Sequence, residues 1–289
     1  MRYTLERLIE EFRADPHSPF AALNHAVRVR HIRLYERLIR EHGQTSLKQI
    51  RPRDLIAWHR VWVGAGKVAI AHSLISRLRV LFRFGEVFLE DRECRRLSTA
   101  LSKIRFEKPA LRGQAITNEQ IVAFRTTAHQ YGFEAMSLAQ ALQYDLHLSQ
   151  KDVIGIYVPV SEAIETDVVH SEYGKWHDGL RWSDLDEDLN LFSRDRKGQA
   201  TLTGNLRKAP MVMQELAIYC DMHDPEKITR DDLARTGPII LNEQSAFPYT
   251  TAEFRRKWRI VANYAQLPKT LTNKDSNACS RCDRCQPGR

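Results

Sequence analysis

Residues 180–191 read LRWSDLDEDLNL, two apolar runs around an acidic turn, and this stretch is the clearest indication of β-structure in the second half of the chain. Short apolar runs bounded by polar turn residues are typical of β-strands. On this basis three strands are predicted at 180–182, 189–192 and 200–203, with the turn Arg196-Lys197-Gly198 between the last two. Helices are predicted near 211–222 and 251–265, with one more apolar strand at 238–241 between them. The second half is therefore predicted to combine α-helices with a small antiparallel sheet.

The first third of the chain is predicted to be helical throughout. Leu5, Leu8, Ile9 and Phe12 recur at the spacing that places apolar side chains on one face of a helix. Further helices are predicted at 19–42, from Pro52 and from near Lys67, and Gly43 is predicted to end the second helix in a left-handed cap. Four or five short helices would make a small all-α domain.

A linker-like segment separates the two parts. Residues 107–113 read EKPALRG, and Thr117 with Gln120 then has the spacing of a capping box that starts a new helix. Two domains are therefore predicted, 1–112 and 113–289.

Charge is distributed unevenly between these two parts. The 289-residue chain carries a formal net charge of +8. Residues 1–112 hold 23 Lys and Arg against 12 Asp and Glu, a net of +11, whereas the remainder holds 21 against 24. Such asymmetry favours a polyanion partner for the first part, most economically nucleic acid. The alternative is a solvated basic face without a partner.

Composition also excludes some classes of protein. The amino terminus alternates charged and apolar residues, and no apolar run approaches the roughly 18 residues that span a bilayer. Five cysteines, three of them in the last eleven residues, do not form a disulfide framework. We therefore expect a cytoplasmic, nucleoid-associated protein without a membrane partner.

The order of these elements and two local phrases resemble the tyrosine recombinases, the phage integrase family. Residues 180–191 resemble the strand pair after the family's first catalytic helix, and residues 251–268, TAEFRRKWRIVANYAQLP, resemble the helix before its second catalytic motif. The resemblance implies a helical core-binding (SAM-like) domain at 1–112, followed by a truncated α+β catalytic domain at 113–289. It also implies double-stranded DNA as partner, a role in DNA integration and recombination, and no cofactor.

The family's chemistry requires groups that this sequence replaces. A tyrosine attacks the scissile phosphate while two arginines, a histidine and a lysine stabilise the transition state. Alignment on the QKDVIG phrase places Ser149 where the first arginine belongs. The second motif, H-x-x-R, corresponds to Lys274 and Asn277, and Lys197 has the sequence context of the family's lysine.

The resemblance places the nucleophilic tyrosine several tens of residues beyond the second motif, but the last tyrosine in the sequence is Tyr264. We therefore expect a degenerate integrase of a mobile element that binds DNA without cutting it. Two alternatives remain open. The chain is an active recombinase if a partner subunit or a further segment supplies the tyrosine, or it is a non-enzymatic regulator that occupies a site used by an intact relative. Partners on DNA would then be further copies of the chain or an intact recombinase.

Two sets of residues complete the predicted sites. Phosphate contacts are predicted for basic residues of the second and fourth helices: Arg28, Arg30, Arg33, Lys67, Arg77, Arg79 and Arg83. Cys279, Cys282 and Cys285 have a spacing that zinc could use, but the closed set of four ligands typical of structural sites is missing, so no metal is predicted.

Overall fold

A computed structural model describes residues 3–64, 66–110, 114–194 and 199–277. The chain divides into two compact units, Met1–Arg112 and Gly113–Arg289, called the amino-terminal and carboxy-terminal units below. Helices dominate both, and the strands form two small antiparallel sheets, as the predicted fold class requires. Within the described ranges no helix combines the length and the apolar character needed to cross a bilayer.

The amino-terminal unit consists of helices, several of which begin at a side-chain cap or a proline. Asn24 accepts the backbone N–H of Val27, Asp91 accepts that of Cys94, and Pro52 occupies the first turn of its helix, where its missing N–H costs nothing. The helices are α1 (Leu5–Ala14), α2 (His25–His42), α3 (Pro52–Val63), α4 (Val68–Val87) and α5 (Arg92–Lys103).

Two details of α2 correct the sequence prediction. The helix begins at His25 and not at Pro19, because the Asn24 cap fixes its start. Gly43 does not form a left-handed cap, since its φ is −56°. Glycine is needed there because a Cβ would lie 2.5 Å from the carbonyl oxygen of Ile39.

The core of the amino-terminal unit is built around α4. Leu74, Leu78, Leu81 and Phe82 are fully buried along one side of this helix, at helical spacing. Burying an apolar side chain of this size contributes about 1.5–3 kcal/mol. The burial of α4 therefore fixes which of its residues face outward.

The carboxy-terminal unit contributes α6 (Asn118–Gln130), α7 (Glu134–Asp145), α8 (Gln150–Ile154), α9 (Pro210–Tyr219) and α10 (Thr251–Tyr264). The predicted capping box at its start is present. The backbone N–H of Thr117 donates to Gln120 Oε1 at 2.9 Å, and Thr117 Oγ1 accepts the backbone N–H of Gln120 at 3.3 Å. This reciprocal pair marks the beginning of α6.

Two separate sheets lie in this unit. Their strands are β1 (Ile156–Val158), β2 (Val169–His170), β3 (Gly174–His177), β4 (Asn190–Arg194) and β5 (Ala200–Asn205). The first sheet has the order β1-β3-β2, and the second is the β4–β5 hairpin, both antiparallel. The hairpin confirms the strands predicted at 189–192 and 200–203, whereas the sequence analysis predicted no strand for the residues of the first sheet.

The strands predicted at 180–182 and 238–241 were wrong. Arg181 and Pro238 form only one isolated bridge. The Arg181 backbone N–H donates to Asp184 Oδ2 at 2.8 Å, which starts the 3₁₀ turn Trp182–Asp184 and ends the extended backbone. A local cap therefore replaces the predicted strand pairing.

Candidate functional site

Position 149, where the resemblance requires an arginine, starts α8 as a helix cap. Ser149 Oγ accepts the backbone N–H of Asp152 at 3.3 Å, and the Ser149 N–H donates to Asp152 Oδ2 at 2.9 Å. The residue carries no charge, and its hydroxyl bonds the backbone of its own helix.

The neighbouring arginines in the sequence are engaged elsewhere. Arg125 is 7% exposed and forms an ion pair with Glu215, with Arg125 Nη2 2.6 Å from Glu215 Oε1. Arg181 forms an ion pair with Asp167 at 2.6 Å and lies over the ring of Trp176. Neither arginine is available to replace the one missing at position 149.

The second predicted motif lies on the 3₁₀ turn Asn273–Asn277. Asn273 is buried and exchanges two hydrogen bonds with Gln143 of α7, at 3.0 and 3.1 Å. Asp275 accepts both the backbone N–H and the hydroxyl of Thr272, at 2.7 and 2.9 Å. These bonds hold the turn against α7 and leave Lys274 exposed.

The side chain of Gln150 joins these two positions. Its Oε1 accepts from Asn273 Nδ2 at 3.3 Å and from Arg255 Nε at 3.2 Å. The structure therefore brings the residues next to Ser149 and Lys274 together, and it adds an exposed arginine of α10 that the sequence analysis did not select. The sequence did contain an indication of this arginine, because Arg255 and Arg256 form a basic pair next to the apolar Phe254. In the structure both arginines are exposed, between the buried Phe254 and Lys257.

The other predicted residues of this unit cannot be placed in the site. Lys197 lies outside the described residues, as do Cys279, Cys282 and Cys285. In the part of the chain that the structure describes, no three His, Cys, Asp or Glu side chains are grouped to hold a metal ion.

A buried polar network was missed by sequence reasoning. Glu215 of α9 accepts from Arg125 and Ser137 through Oε1, and Glu215 Oε2 lies 2.9 Å from His129 Nε2. Glu215 and His129 also line a cavity of about 300 Å³ beside Trp182. The network connects three helices and satisfies its buried charges internally, so we assign it a structural role.

In the amino-terminal unit, the predicted DNA-contacting residues fall into two groups. Arg77 contacts the ring of His31, at 3.0 Å to Nδ1, which connects α4 to α2. Arg79 donates to the backbone oxygens of Leu101 and Ile104, both at 3.3 Å, and so holds the end of α5. Arg28 is half-buried, whereas four residues are exposed and have no ion pair within the described ranges: Arg30, Arg33, Lys67 and Arg83.

The pKa of His31 is lowered by burial and by the positive charge between α2 and α4. Burial has the largest effect, and together with the nearby charges of Arg77 and Arg30 it lowers this pKa to about 4. An imidazole that remains neutral beside two guanidinium groups indicates a local positive potential that no carboxylate offsets. Such a potential attracts polyanions. We call the surface formed by Arg30, Arg33, Arg77 and His31 the α2–α4 basic face.

No family model matches the sequence, and no curated protein matches it significantly. Solved structures do match its fold. The lambda integrase tetramer bound to a Holliday junction aligns with a TM-score of 0.68 at 14% identity, covering 96% of this chain and 69% of that one. Lambda integrase bound to DNA aligns at 0.64 and 13%, covering 96% and 85%. The Tn1549 transposon integrase with circular intermediate DNA aligns at 0.58 and 12%, covering 99% and 89%.

With 96–99% of this chain covered, these alignments extend over both units. The chain therefore has the fold of the tyrosine recombinases.

Proposed function

We propose that this chain is a DNA-binding protein of integrase type that holds duplex DNA without cleaving it. The observation that carries the proposal is the α2–α4 basic face, on a chain whose fold matches that of DNA-bound integrases along nearly its whole length. Exposed guanidinium groups without carboxylate partners are suited to backbone phosphates, because they release counterions from DNA when they bind.

Absence of cleavage is inferred from positions 149, 274 and 277. Ser149 is a helix cap, and Asn277 lacks the guanidinium fork that grips two phosphate oxygens. Lys274 offers a positive charge in place of an imidazole. Loss of a single group that stabilises transition-state charge costs about 10²–10³ in rate, and here two arginines are replaced.

The experiment for cleavage uses a suicide duplex taken from the DNA that flanks the gene, incubated with the purified chain. We expect no covalent protein–DNA band on a denaturing gel, while an active tyrosine recombinase on its own site gives one. A reproducible band that maps to a tyrosine of this chain would refute the inactive assignment.

We further propose that the chain assembles with other copies on DNA. The matched lambda integrase structures are a dimer and a tetramer on DNA. Sedimentation with and without a duplex long enough for two copies tests this proposal. A strictly one-to-one complex at every protein concentration contradicts it.

A further inference from the structure

We propose that the carboxy-terminal unit binds one backbone phosphate of duplex DNA at a cluster of Arg255, Gln150 and Asn273, on the turn that also carries Lys274, and that α10 thereby supplies the guanidinium that position 149 lacks. The proposal rests on the proposed DNA-binding function and names a second point of contact. It concerns binding alone and includes no bond-breaking step.

The cluster is organised by one oxygen atom. Gln150 Oε1 accepts from Arg255 Nε and from Asn273 Nδ2, which brings α10 and the 273–277 turn to the residue that follows Ser149. With Nε engaged, the guanidinium is oriented, and its two terminal nitrogens have no partner within the described residues. These two nitrogens form the planar fork that fits two oxygens of one phosphate.

Both sides of the cluster are anchored in the core. On α10 the neighbours Phe254 and Trp258 are buried, and Trp258 Nε1 donates to Gln140 Oε1 at 2.6 Å. Across from them, the buried Asn273–Gln143 pair holds the turn that carries Lys274. The two cations are therefore flexible only in their side chains, which lowers the entropy lost when a phosphate binds.

The local charge favours an anion. Arg255 and Lys274 are exposed, and in the described ranges neither forms an ion pair. The carboxylates of Asp152 and Asp275 are held by hydrogen bonds within their own turns, and in the described ranges neither forms an ion pair with Arg255 or Lys274. Two unpaired cations and a polar amide fit a singly charged phosphodiester better than a neutral ligand.

The test measures binding of the full chain to a fluorescent duplex over a series of salt concentrations. Arg255→Ala should weaken binding by roughly tenfold and lower the slope of log affinity against log salt by about 0.9, the value for one lost phosphate contact. Arg256→Ala is the matched control, because it removes the same charge from the next residue of the same helix, which is also exposed and does not contact Gln150.

Two further variants allow the phosphate site to be tested even if Arg255→Ala does not fold. Gln150→Glu should reproduce the effect of Arg255→Ala, because the new carboxylate would neutralise the guanidinium that it contacts. Lys274→Gln should lower the slope in the same direction. Circular dichroism of each variant verifies its fold, and these two carry the test if Arg255→Ala does not fold.

The outcomes separate the two proposals. If the wild-type chain binds duplex with salt dependence but Arg255→Ala and Arg256→Ala have equal slopes, the phosphate site is refuted and the proposed function stands. If the wild-type chain shows no salt-dependent binding, both are refuted. Inorganic phosphate is added as a competitor in a further measurement. If Arg255→Ala changes how strongly inorganic phosphate competes but leaves the affinity for duplex unchanged, the cluster binds free phosphate, and the assignment to DNA is wrong.

Discussion

The two units differ in where their arginines lie and whether a carboxylate pairs with them. On the α2–α4 basic face, Arg30 and Arg33 are exposed without carboxylate partners in the described ranges, and burial together with the charges of Arg77 and Arg30 keeps His31 neutral. Inside the carboxy-terminal unit, Arg125 is buried and fully matched by Glu215. The same side-chain type therefore has two roles, and the presence or absence of a carboxylate distinguishes a buried arginine that stabilises the fold from the exposed arginines that are proposed to contact DNA.

The largest expected effect is on the buried pair. Glu215→Ala leaves Arg125 buried without a counter-charge, which should lower the free energy of unfolding by about 3–5 kcal/mol. Chemical denaturation of the full chain measures it. Glu187→Ala is the matched control, because the Glu187–Arg235 pair is exposed and should contribute no measurable stability. If the two substitutions lower the free energy of unfolding equally, burial does not determine how much these ion pairs contribute to stability.

A smaller loss of stability is expected when the buried pair consists of two neutral amides. Asn273→Ala leaves the buried Gln143 amide without its partner, at a cost of about 1–3 kcal/mol in unfolding free energy. Asn263→Ala on the exposed side of α10 should change little. Thermal unfolding of both variants checks this, and an unchanged melting temperature for Asn273→Ala would mean that water replaces the lost bonds.

Substitutions on the exposed α2–α4 basic face should weaken DNA binding and leave the stability of the fold unchanged. The double variant Arg30→Ala, Arg33→Ala should weaken duplex binding by roughly tenfold and reduce the salt slope by up to about 1.8, with the unfolding free energy unchanged. Arg7→Ala serves as control, because Arg7 is already paired with Glu11 at 3.0 Å. A double variant that binds like the wild type would remove the α2–α4 basic face from the interface.

The effect that is smallest at neutral pH concerns the protonation of His31. Because the pKa of His31 is lowered in the folded protein from 6.5 to about 4, the unfolded chain takes up the proton first as pH falls. The stability associated with this residue is therefore complete above about pH 6.5 and is lost as pH falls toward 4. A bound phosphate should raise this pKa, which an NMR titration of the imidazole with and without duplex would detect. His31→Gln should remove this part of the pH dependence.

Elements encoded by neighbouring residues could be predicted from the sequence. The Thr117–Gln120 capping box and the hairpin formed by β4 and β5 depend on residues within a few positions of each other. The sheet of β1, β2 and β3 was missed because its strands have three, two and four residues, too few to display an alternating pattern. The strand predicted at 180–182 failed because a side-chain cap competed with strand pairing.

The candidate site was only partly accessible to the same reasoning. The resemblance to a family pointed to positions 149 and 274, and these assignments remain predictions. Arg255 and Gln150 are 105 positions apart, and their contact depends on how α8 and α10 pack, which no local pattern records. The buried network at Glu215 was missed for the same reason, because its partner Arg125 is 90 positions away.

The helix cap at Ser149 has a consequence for the substitutions that this position tolerates. An arginine here would add a charge but lose the hydroxyl that accepts the Asp152 N–H, and losing a serine cap typically costs about 1 kcal/mol. Such a substitution would lower the stability of the chain unless a new contact of the guanidinium offset the lost cap. The start of α8 therefore favours a small hydroxyl side chain at position 149, whatever chemistry takes place beside it.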